Sequence, residues 1–76
     1  MGSDVLDRLA SAWPSPIVAR SEVGHFSGGV LNPRSLANMD SLGRGPANRI
    51  RIGRKVAYPV CDLVEWMRER ASPVVG

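Results

Sequence analysis

The segment Asn32-Pro33-Arg34-Ser35-Leu36-Ala37-Asn38-Met39-Asp40-Ser41-Leu42-Gly43 carries its own start and stop signals, and they restrict it to one conformation. Asn32 is an N-cap: its side-chain oxygen can accept a first-turn backbone N–H that no helical carbonyl reaches. Pro33 follows at the first helical position, where its missing N–H costs nothing. Gly43 can adopt the left-handed conformation that closes a helix. Residues 32–43 are therefore read as a helix, with Leu36, Met39 and Leu42 as its apolar stripe. Arg34, Ala37, Asn38 and Ser41 fall on the other side, and that face is polar, small and nearly free of acid.

The flanking pieces are expected to support this helix. Asp4–Ala12 reads as a helix capped by Ser3, with Asp4 and Asp7 at its positive end. Val5, Leu9 and Ala12 would line one face, with Leu6 beside them and Trp13 as an anchor. Trp13-Pro14-Ser15-Pro16 leaves the helix, because proline restricts the residue before it. Arg20–Phe26 reads as about two helical turns with Val23 and Phe26 inward. Ser27-Gly28-Gly29 ends it, and Val30 and Leu31 are expected to tuck into the core. Helix, glycine-bearing turn and capped second helix make a helix-turn-helix pattern, here with a longer turn than the usual three or four residues.

Beyond the capped helix, Arg49-Ile50-Arg51-Ile52 alternates as a half-buried strand, and Val56-Ala57-Tyr58 supplies a partner. Opposed residues of an antiparallel pair share a face. If Ile50, Ile52, Val56 and Tyr58 are all to face inward, the connection is expected to be of odd length, as in the three residues Gly53-Arg54-Lys55, or to contain a bulge. The three-residue register pairs Ile52 with Val56 and Ile50 with Tyr58. Arg49 and Arg51 then point outward and Arg54 and Lys55 sit at the tip of a basic wing over residues 49–58. Val60–Arg70 closes the domain as an amphipathic helix, with Val60, Leu63, Val64, Trp66 and Met67 on its apolar face. Tyr58 and Trp66 are read as core aromatics covering the wing.

The expected fold class is thus α+β and mostly helical: helix-turn-helix, two-stranded antiparallel wing, C-terminal helix, and an extra N-terminal helix. Residues 1–16 are read as a helical arm and linker, 17–71 as the main domain and 72–76 as a flexible tail. Seventy-six residues make one small domain, with no room for both a core and a deep cleft. The single cysteine, Cys61, allows no intrachain disulfide and no zinc site of cysteine pairs, and His25 is the only histidine. No paired carboxylates, Ser/His/Asp set or phosphate loop is legible. The chain is expected not to be an enzyme, and to use no metal, cofactor or small-molecule substrate. No signal peptide or membrane span is expected, and the cytoplasm is the expected location.

Charge is unevenly distributed. From Arg34 to Lys55 six basic residues face only Asp40, a net +5; elsewhere four basic residues face six acids, a net −2. Such an asymmetry suggests an oriented surface for a polyanion.

Four runs, taken in order, carry a resemblance: Arg34-Ser35-Leu36-Ala37-Asn38, Gly43-Arg44-Gly45-Pro46, Ile52-Gly53-Arg54-Lys55-Val56-Ala57-Tyr58 and Asp62-Leu63-Val64-Glu65-Trp66. Over roughly Val18–Ala71 the chain resembles the small winged helix-turn-helix modules of the excisionase and AlpA-type regulator family, distantly MerR-like. It departs from them in its long Ser27–Leu31 turn and in Ala19, where a Ser or Thr cap is common. The resemblance implies binding of double-stranded DNA, with helix 32–43 in the major groove and the wing on an adjacent minor groove or phosphates. It further implies a nucleoid-associated role in DNA recombination or transcription regulation, with neighbouring copies or an integrase as partners.

In such a groove Arg34 can pair with guanine and Asn38 with adenine, each good pair discriminating by about 1–3 kcal/mol. Ser35 and Ser41 would support them on phosphate or base, and the helix N-terminus would favour a phosphate. Arg44, Arg49, Arg51, Arg54 and Lys55 would supply sequence-independent attraction. The alternative is a protein-interaction module whose basic wing meets an acidic partner.

Overall fold

Proline and glycine decide where the elements begin and end. The computed structural model describes residues 5–72 and 74. It comprises helix α1 (Val5–Ala12), strand β1 (Ile17–Ala19), a 3-10 turn (Arg20–Glu22) running into α2 (Val23–Phe26), α3 (Pro33–Ser41), strands β2 (Ile50–Ile52) and β3 (Lys55–Pro59), and α4 (Val60–Arg70). The strands form one antiparallel sheet in the order β1-β3-β2, so the fold is a small α+β one. Ser3 and Asp4, and most of the expected tail, lie outside the described residues.

The core is Val18, Val23, Phe26, Leu36, Tyr58, Val60, Leu63, Val64 and Met67, drawn from every element except α1, β2 and the 3-10 turn. Removing a side chain such as Leu63 from water stabilises the fold by about 1.5–3 kcal/mol. Helix α1 packs on α4 through Leu6, Leu9 and Ala10, while Val5 and Ala12 are exposed. The helix is therefore rotated from the expected Val5–Leu9–Ala12 face. Trp13 anchors it: its indole N–H donates to the Ile17 carbonyl at 2.8 Å, and its ring meets Phe26 edge-on at 5.4 Å.

Strand β1 was not expected. Three residues are too few for a legible period, yet Val18 is fully buried opposite Tyr58, which makes β3 a central strand. The register of the hairpin also differs from expectation. Ile52 pairs with Lys55, Arg51 with Val56 and Ile50 with Ala57, so the connection is the two residues Gly53-Arg54. Gly53 has φ +63° and Arg54 does not share the positive sign, the pattern of a type II′ turn with glycine first. Arg51 consequently shares a face with Val56 and Tyr58, whereas Ile50 and Ile52 lie on the opposite face and are exposed. The turn, not the apolar alternation, sets the register.

Two further apolar residues are displaced outward. Gly28 and Gly29 both have positive φ, and the turn they make leaves Val30 76% exposed while Leu31 packs inward. The Ser27 hydroxyl secures this turn, donating to the Val23 carbonyl at 2.7 Å and accepting from the Leu31 N–H at 2.8 Å. On α3, Leu42 is 65% exposed, and the buried residues are Leu36 and Asp40. The reason is angular: steps of three residues drift by about 60° each, so a Leu36–Met39–Leu42 row winds off the core. Tyr58 is fully buried as expected. Trp66 is only partly buried and covers the loop after α3 rather than the hairpin, its indole N–H donating to the Arg44 carbonyl at 2.8 Å.

Candidate nucleic-acid interface

Helix α3 begins where its cap dictates. Asn32 Oδ1 accepts from the N–H groups of Arg34 at 2.8 Å and Ser35 at 3.3 Å. Those donors are thereby taken, which weakens the expectation of a phosphate at this helix end. The helix closes with Arg44 N–H donating to the Met39 carbonyl and Gly43 in the left-handed region. From Arg34, Asn38 lies about 40° one way round the helix and Ser41 about 20° the other, with Ser35 near 100°. All four are exposed. Leu42 falls within the same arc, so the exposed face is less polar than its sequence suggested.

The β2–β3 hairpin runs beside this helix. A cleft of about 350 Å³ joins Ala37, Asp40 and Ser41 of α3 to Arg49, Arg51 and Val56 of the hairpin. A second, of about 260 Å³, joins Pro33 at the helix start to Arg54 and Lys55 at the hairpin tip. The hairpin base thus lies by the C-terminal half of α3 and its tip by the start. Ser41 and Arg51 meet at the first cleft, while Arg34, Ser35 and Asn38 line neither.

All nine expected site residues, Arg34, Ser35, Asn38, Ser41, Arg44, Arg49, Arg51, Arg54 and Lys55, are exposed. They differ in their internal commitments. The side chains of Arg34, Arg44, Arg51, Arg54 and Lys55 make no ion pair or hydrogen bond with the described residues. Arg44 is fixed through its backbone, its N–H donating to the Met39 carbonyl and its own carbonyl accepting from Trp66 and from Arg70. Ser41 donates its hydroxyl back to the Asn38 carbonyl at 2.9 Å. Arg49 alone among the basic members reaches a carboxylate, Nη1 lying 3.9 Å from Asp40 Oδ1.

Asp40 is the residue that sequence reasoning missed. It is 7% exposed and receives two short hydrogen bonds on Oδ2, from the Tyr58 hydroxyl and from Arg20 Nη2, each at 2.6 Å. Arg20 Nε also donates to the Tyr58 oxygen at 3.0 Å. This triad joins α3, the 3-10 turn and β3. Burial, reinforced by the hydrogen bond to Asp40, raises the pKa of the Tyr58 phenol above its ordinary value. The hydrogen bond to Tyr58 raises that of Arg20, against the opposing effect of burial. One signal was available in the sequence: Asp40 stands one turn after Leu36, on the side of the helix that must be buried.

Among the described residues no helix is long and apolar enough to cross a membrane. No family model matches the chain, and no curated protein or solved structure matches it either.

Proposed function

We propose that this chain is a non-enzymatic module of the winged helix-turn-helix kind that binds double-stranded DNA. Helix α3 enters the major groove and the β2–β3 hairpin acts as the wing on the adjacent minor groove or phosphates. The observation that carries this reading is the set of unpartnered basic side chains, Arg34, Arg44, Arg51, Arg54 and Lys55, around α3 and the hairpin. Charges of one sign with no internal partner are available to a polyanion, and the nine-residue α3, about 14 Å long, has a major-groove scale. Arg34 and Asn38 read base edges, Ser35 and Ser41 support them, and the remaining basic residues hold phosphates. Within this reading, and following the family resemblance, the module acts as an excisionase-like architectural factor or small transcription regulator, with neighbouring copies or an integrase as partners.

Fluorescence anisotropy of a labelled random duplex tests this, with polyglutamate of matched charge as competitor. Binding is expected at about 50 mM salt and should weaken with a log–log slope near −4 if about four phosphates are neutralised. A folded sample that ignores the duplex and binds polyglutamate would instead make it a protein-interaction module.

A further inference from the structure

Asp40 leaves one oxygen unexplained. Oδ2 is satisfied twice, but Oδ1 is buried and accepts no hydrogen bond. A buried carboxylate oxygen left without a hydrogen bond is costly, which favours a cation staying beside it. Arg49 supplies the nearest cation, its Nη1 3.9 Å away at ion-pair rather than hydrogen-bond distance and its side chain 43% exposed. The chain between the two residues is shaped to fit. Any side chain on Gly45 would collide with Asp40 Oδ1, so the loop passes directly over the carboxylate only because residue 45 is glycine. Pro46 beside it is fully buried. On its other side the loop is tied to α4, through the Trp66–Arg44 hydrogen bond and through Asn48 Nδ2 donating to Asp62 Oδ2 at 3.2 Å. Asn48 itself has a left-handed backbone, φ +60°. The segment from Gly43 to Arg49 is therefore a strap held at several points, and it determines how far the hairpin stands from α3.

We infer that Arg49 is a positioning residue rather than a phosphate contact: by facing Asp40 Oδ1 as its counter-charge it holds the base of the hairpin to α3 at the spacing a duplex requires. The functional half of this inference rests on the DNA-binding reading; the Asp40–Arg49 pair does not. Arg51, two residues on and unpartnered, is the matched phosphate contact.

Three measurements test it. In duplex binding, Arg51→Gln should reduce the salt slope by about one, the loss of one phosphate contact. Arg49→Gln should lower the affinity of the folded fraction severalfold at every salt concentration with the slope unchanged, and Arg49→Lys should restore part of it. In urea unfolding, Arg49→Gln and Asp40→Asn should be non-additive, as expected of residues that share a contact. Should Asp40→Asn fail to fold, NMR of the wild-type guanidinium groups replaces the cycle: rotation about Nε–Cζ should be slower in Arg49 than in Arg51. Additive stabilities, or equal rotation rates, together with a slope lowered by Arg49→Gln as much as by Arg51→Gln, would overturn the inference and leave DNA binding intact. A coupled pair in a protein that binds no duplex would overturn the positioning role together with the DNA-binding reading and leave only an internal ion pair.

Discussion

The two sides of this molecule treat charge in opposite ways. On the α1–α4 side the arginines of α4 are answered: Arg68 pairs with Asp7 at 2.7 Å and Glu65 at 3.4 Å, and Arg70 stacks 4.1 Å over Trp66 while donating to the Arg44 carbonyl, although Arg8 and Glu69 there have no such partner among the described residues. On the α3–hairpin side Arg34, Arg51, Arg54 and Lys55 have no such partner. Paired surface charges fix one element to another and contribute little else, about 0–1 kcal/mol each. Unpaired charges of one sign add a long-range field that draws in a polyanion and falls with salt. The contrast separates side chains that help assemble the domain from those with no commitment inside it. Asp40 stands between the two sides, belonging to the assembly while lining the basic cleft.

The largest effect is expected at Asp40. Asp40→Ala removes the acceptor shared by Arg20 and Tyr58 and leaves both donors unanswered. It should cost about 3 kcal/mol, the low end for a broken buried pair because Arg20 is partly open to water. The urea midpoint measures this, and a shift of less than about 1 kcal/mol would show that the triad does not hold the elements together. Smaller and more selective effects are expected from the surface charges. Arg54→Gln with Lys55→Gln should lower the salt slope of duplex binding by about two and leave stability within about 0.5 kcal/mol. Arg68→Gln should do the reverse: a loss of at most about 1 kcal/mol, with the slope untouched. If Arg68→Gln altered the slope and the tip variant did not, the two sides would have been assigned the wrong way round.

The smallest effect at neutral pH is the titration of Tyr58. Its pKa is raised in the folded state, so the neutral phenol is favoured there. Its contribution is therefore fully present below the unfolded value of about 10 and is lost as pH rises through the higher folded value. Stability should fall in that alkaline window, and Tyr58→Phe should remove this part of the fall. An identical alkaline profile in both proteins would exclude Tyr58 as its source.

Which features were legible follows from how far apart their causes lie in the chain. The start of α3 was readable because Asn32, Pro33 and the donors they govern are neighbours. The apolar face of α4 was readable for the same reason, since Val60, Leu63, Val64 and Met67 lie within two turns. The register of the hairpin follows Gly53-Arg54, which has the composition of a two-residue II′ turn, and not the alternation of Ile50 and Ile52, which are exposed. Strand β1 gave no periodic signal, and its pairing with β3 spans some 40 residues. At the site, composition alone indicated which residues would be exposed. It could not show that Asp40 meets Tyr58 18 positions away and Arg20 20 positions away, nor that Arg49 differs from Arg51.

In the proposed reading the unanswered charge around α3 and the hairpin is the binding surface. Titration of ¹⁵N-labelled protein with a duplex at about 50 mM salt measures this directly. Perturbed amides should cluster at Arg34, Asn38, Ser41 and Arg51–Lys55, while the α1–α4 side around Asp7, Glu65 and Arg68 stays unchanged. Perturbations confined to α1 and α4, or a folded spectrum that the duplex does not alter, would contradict it.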